Sequence, residues 1–145
     1  MIGTREQKLL GLDRLEILAL GIRDPARCGH EVFDFSIINN TLNPECWTSG
    51  CMAGECPIFF PDDWMWISGG LPVLSGGDLD TSHSLHKFFA LCHSEESHIF
   101  HPSWQNNERY GGVLLLKNAT RYEVSDNALE FIRREREKLG IETLK

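Results

Sequence analysis

Positive charge is scarce in this chain: 14 Lys and Arg stand against 21 Asp and Glu, a net charge of −7 over 145 residues. Such a field repels phosphate backbones, so no nucleic-acid partner is expected. Long apolar runs are missing too. Nothing approaches the roughly 20 consecutive residues that a membrane-spanning helix needs, so no membrane partner is expected. The opening Met1-Ile2-Gly3-Thr4-Arg5-Glu6-Gln7-Lys8 lacks the basic-then-apolar order of a signal peptide. Cysteines number five, an odd count that fits no complete disulfide framework. Reduced thiols in a cytoplasmic protein are the expectation. Internal repeats and low-complexity segments are absent, as are a Gly-rich loop followed by Lys-Ser/Thr and a His-Glu-x-x-His motif.

What is present reads as a globular, soluble protein. Apolar residues make up 41% and charged residues 24%, far from disordered composition. The length suits one domain over residues 1–145.

Thr4-Arg5-Glu6-Gln7 is a capping box, and behind it Leu12, Leu15, Leu18, Ala19 and Ile22 recur at helical spacing. Gly11 weakens that helix, and Asp24-Pro25 stops it. Residues 31–38 read as a short strand or an extended segment, and Asn39 to Pro44 as a loop. Two short apolar runs, Trp64 to Ile67 and Leu71 to Leu74, flank Ser68-Gly69-Gly70 and predict a β-hairpin with Pro72 on an edge strand. A helix is expected from Asp80 or Thr81, with Leu85, Phe88, Phe89 and Cys92 on one face. A second should start at Ser94, with Glu95 and Glu96 in its first turn. Gly112 to Lys117 could form a strand. Thr120 to Glu123 is another capping box, leading a helix whose inner face is Val124, Ala128, Phe131 and Ile132. Glu130 with Arg134, and Arg133 with Glu137, are spaced to pair on its flanks, and Gly140 ends it. The expected fold is mainly α in a single compact domain with a small β-hairpin; α+β is the alternative.

The densest stretch of unusual residues is Cys46 to Pro57, with Cys46, Cys51 and Cys56 each separated by four intervening residues. A short helix over Gly50 to Glu55, capped by Thr48 or Ser49 and closed by Pro57, would pack tightly through Gly50, Ala53 and Gly54. Five residues along a helix turn about 140°, so neighbouring cysteines would not share a face. On a strand the odd spacing also sends them to opposite faces. Buried structural thiols are therefore preferred over a zinc site. Cys51 would sit in the first helical turn, where the dipole favours thiolate, which makes it a weak candidate nucleophile. The glycines around it do not fit a nucleophile elbow.

His83/His86 and His98/His101 share i,i+3 spacing, but the first pair falls on the polar side of its helix and the second abuts Pro102. Both read as solvated surface histidines. Asp62, Asp63, Asp78 and Asp80 suit turns and caps better than a calcium loop. Trp47, Trp64, Trp66 and Trp104 belong to the core or line an interface groove.

One wider pattern runs through Phe33-Asp34-Phe35-Ser36, Cys46-Trp47-Thr48 with Cys51 and Gly54, and Cys56 to Pro61. It continues through Phe88-Phe89-Ala90-Leu91, Ile99-Phe100-His101-Pro102 and Thr120 to Val124. This resembles a family of small uncharacterised bacterial proteins with a Phe-Asp-x-Ser and Cys-Gly-Thr-x-x-Cys-x-x-Gly core. Trp47 and Ala90 stand where that pattern has glycine. The resemblance implies a compact helical domain and carries over no catalytic residue.

The leading functional expectation is a non-enzymatic module that binds a protein partner or a second copy of itself, without a cofactor. The alternative is an enzyme or metal-binding protein using Cys46, Cys51 or Cys56 with a histidine between residues 83 and 101.

Overall fold

Helix α1 (Arg5–Gly21) begins where the sequence says it should. The Thr4 hydroxyl accepts from the Gln7 backbone N–H at 3.2 Å, and the Gln7 side chain accepts from the Thr4 N–H at 2.7 Å. Both bonds satisfy donors that a helix start leaves open. Leu12, Leu15, Leu18, Ala19 and Ile22 are all fully buried. The computed structural model describes residues 1–24, 32–33, 49–50, 55–67, 71–76, 81–100 and 119–140.

Strand β1 (Val32–Phe33) falls inside the segment expected to be extended, and β2 (Ser49–Gly50) pairs with it in parallel. Here the sequence reading needs correction. Gly50 is in a strand opposite Phe33, and helix α2 (Cys56–Phe59) begins only at Cys56. Pro57 lies in the first turn of α2 instead of ending a helix before it. At that position its missing N–H would have had no helical partner anyway, and its fixed φ already suits the helix. Residues 51–54, with Cys51 and Gly54, lie outside the described residues, as do Cys46, Trp47 and Thr48.

The hairpin is as expected: β3 (Trp64–Ile67) and β4 (Leu71–Leu74) pair antiparallel, with Trp64 opposite Leu74 and Trp66 opposite Pro72. It is tied to helix α3 (Thr81–Phe89) by two side chains. The Thr81 hydroxyl donates to the Pro72 carbonyl at 2.8 Å, and the Leu74 N–H donates to the Ser84 hydroxyl at 3.0 Å. Helix α4 (His93–Phe100) follows at once, then β5 (Ala119–Thr120), which completes a small sheet in the order β2-β1-β5. Helix α5 (Arg121–Lys138) ends at Gly140, whose φ of 78° is the left-handed value that glycine adopts freely.

The core lies between α1, α3, α4 and α5, with α2 and the hairpin closing one side. Phe60, Trp64, Phe88, Phe89 and Phe100 stack through it, with Phe60 and Phe88 edge-on at 4.9 Å and Phe88 and Phe89 at 5.0 Å. Edge-to-face contact suits the ring quadrupoles. On α5 the two expected ion pairs form, Arg133 with Glu137 at 2.6 Å and Arg134 with Glu130 at 3.5 Å. Arg136 crosses to α1, reaching Glu16 at 2.7 Å and Asp13 at 3.0 Å. The described elements are mainly helical with a small hairpin, and no described helix is long and apolar enough to cross a membrane.

Candidate metal centre

Helices α3 and α4 form a tight helical hairpin, and its turn decides which side chains meet. Ala90 takes a φ of 55°, uncommon for a residue with a β-carbon. Leu91 then donates its N–H back to the His86 carbonyl at 3.1 Å, closing α3 as a Schellman-type turn. Cys92 caps α4: its carbonyl accepts from the Glu96 N–H, and Glu95 reaches back to the Cys92 N–H at 2.9 Å. The second carboxylate oxygen of Glu95 lies 2.7 Å from the Met1 amino group. These bonds hold the Glu95 carboxyl below its usual range, against the upward push of burial.

The chain reversal brings His86 of α3 against the first turn of α4. His86, His93 and Glu96 place one potential ligand atom each within 4.8 Å of one another. His86 Nε2 is 2.8 Å from Glu96 Oε1, and the two imidazoles stand nearly perpendicular with centroids 6.1 Å apart. Glu96 is only 3% exposed, so it is not a surface acid that solvent already satisfies. The Ser82 hydroxyl, one turn before His86, donates to the same Glu96 oxygen and fixes the carboxylate's direction. His86 Nε2 is itself buried, with the Glu96 oxygen as its close neighbour.

Three such donor atoms, brought together from two helices, can converge on a cation. Tetrahedral zinc with ligand bonds of about 2.0–2.1 Å sets its ligand atoms about 3.4 Å apart. Small rotations of three side chains reach that spacing from a cluster already within 4.8 Å. Two imidazoles and one carboxylate form a set that holds zinc or ferrous iron and leaves further coordination positions open. Ser82 would act as the outer partner that orients the carboxylate ligand.

Neither described cysteine joins this cluster. Cys56 is fully buried at the start of α2 and, among the described residues, belongs to no group of three metal-ligating side chains. Cys92 is partly buried beside Ser94, with its Sγ 3.4 Å from the serine hydroxyl. Cys46 and Cys51 lie outside the described residues.

The histidines behave differently from the sequence reading. His83 is exposed as expected, but His86 is half-buried and His98 fully so. The His98 ring lies 6.2 Å from that of Phe131, and burial, helped by the charge of Arg134, pushes its pKa down to about 4. His101 lies outside the described residues. The missed signal was His86-x6-His93-x2-Glu96: His93 and Glu96 share a face of α4, and a turn of three residues folds that face onto His86. No protein-family model matches this chain, and comparison with curated proteins and with solved structures found no match.

Proposed function

We propose that the protein binds a divalent transition metal, zinc or ferrous iron by ligand type, through His86, His93 and Glu96. The observation that carries this is the convergence of His86, His93 and Glu96, whose potential ligand atoms all lie within 4.8 Å of one another with the Glu96 carboxylate buried. Three ligands among the described residues are the number that catalytic zinc sites take from the protein. The free thiols of Cys56 and Cys92 suit a reducing compartment such as the cytoplasm.

Titration of EDTA-stripped protein with Co2+ and Zn2+ tests the reading. Wild type should bind one equivalent and give the visible Co2+ bands of a four- or five-coordinate site. His86→Ala, His93→Ala and Glu96→Gln should each weaken binding at least ~10-fold, whereas His83→Ala should not. Equal binding by all four variants would overturn it.

A second reading has its own support. Leu10, Ile17 and Leu20 are each about half exposed along the outer side of α1, opposite its buried stripe. An apolar face on both sides of one helix favours self-association through α1. Ile17→Glu should then lower the mass measured by light scattering, and a monomeric wild type at high concentration would exclude it.

A further inference from the structure

A cleft of about 360 Å3 opens between the first half of α1 and the end of α3. Gln7, Leu10 and Arg14, at i, i+3 and i+7, form one wall; His86, Phe88 and Ala90 form the other. Its volume falls within the range of small-molecule sites, which begins at roughly 300 Å3. The walls are largely apolar, but two cations, Arg14 and Lys87, stand in them.

Arg14 is the unusual member. Its guanidinium lies 4.1 Å from the Phe88 ring centroid, and one of its nitrogens donates to the Phe88 carbonyl at 3.1 Å. Stack and bond fix the group in place while using one of its five N–H donors. Among the described residues Arg23, Arg133, Arg134 and Arg136 each meet a carboxylate; Arg14, like Arg5 and Arg121, meets none, but of these three it alone lines the cleft, in a chain with seven more acidic than basic residues. A planar cation held rigid at the edge of an apolar cleft, with donors unspent, has the form of a carboxylate-recognition group.

We propose that this cleft binds a small monocarboxylate with a short apolar body. The carboxylate pairs with Arg14 in the field of Lys87, and the alkyl portion covers Leu10 and Ala90. His86 is the wall residue shared with the metal reading; Arg14, Lys87, Leu10 and Ala90 supply no metal ligand, so the inference goes beyond that reading.

The test is calorimetric titration with hexanoate, using hexan-1-ol and hexylamine as controls, in buffer containing EDTA. Hexanoate should bind, and the alcohol and amine should bind at least ~10-fold more weakly. Arg14→Ala should lose at least ~10-fold in hexanoate affinity, and Arg14→Lys, which keeps the charge without the fork, should lose less. Circular dichroism confirms that both variants fold; if Arg14→Ala does not, Arg14→Lys and the alcohol control decide. Absence of hexanoate binding, equal binding of hexan-1-ol, or unchanged affinity in Arg14→Lys and Arg14→Ala alike would overturn the proposal. Because no metal is present, that failure leaves the metal reading untouched, and the reverse holds too.

Discussion

Gly11 of α1 lies directly against the backbone carbonyl of Phe89 at the end of α3. A β-carbon at position 11 would fall 2.3 Å from that oxygen and 2.6 Å from its carbon. The sequence shows only the cost of glycine in a helix, about 1 kcal/mol relative to alanine. The structure shows the return: two helices approach closely enough for α1 to support the turn at Ala90. Gly11→Ala should therefore destabilise the protein by about 1–3 kcal/mol despite the better helix former. Urea unfolding with the midpoint shifted down checks this; an unchanged or raised midpoint would refute it.

Ser82 aligns Glu96 from outside the proposed ligand set of His86, His93 and Glu96. Ser82→Ala should lower Zn2+ affinity by roughly 10–100-fold, the usual effect of removing such an outer partner. Ser82→Thr, which keeps the hydroxyl, should recover most of it. Competition with a chromogenic chelator provides the measurement, and equal affinity in wild type and Ser82→Ala would contradict the assignment.

His98 makes stability depend on pH. Folding lowers its pKa from 6.5 to about 4, so between those values the unfolded chain holds a proton that the folded chain does not. The contribution is fully present above pH 6.5 and is lost as pH falls towards 4. Unfolding free energy should fall by up to about 1.4 kcal/mol per pH unit through this window. A His98→Gln variant should show a flatter profile between pH 6.5 and 5; superimposable slopes would refute the claim.

Burial separates two thiols. Cys56 is fully buried and Cys92 partly exposed. Brief alkylation with iodoacetamide under native conditions should modify Cys92 well before Cys56, and denaturation should abolish the difference. Peptide mapping by mass spectrometry reads both sites, and faster labelling of Cys56 would count against the structure.

Local chemistry was the legible part of this fold. The Thr4 capping box, the buried stripe of α1, the hairpin of β3 and β4, and the Glu130–Arg134 and Arg133–Glu137 pairs each depend on residues close in sequence. Pro57 was ambiguous because proline is equally at home after a helix and in its first turn. The candidate metal centre was not legible for a tertiary reason. Its ligands come from two helices whose relation is set by Ala90 in a left-handed conformation, and no glycine marks that turn. His98 was misread in the same way, since only the packing of α4 onto Phe131 shows that it is inside.

His86 belongs to both proposed sites, lining the cleft and meeting Glu96 with Nε2. The two equilibria are then thermodynamically linked. If an acid in the cleft changes metal affinity by some factor, the metal must change affinity for the acid by the same factor. A single imidazole would thus let each solute tune the protein's affinity for the other, while either still binds alone.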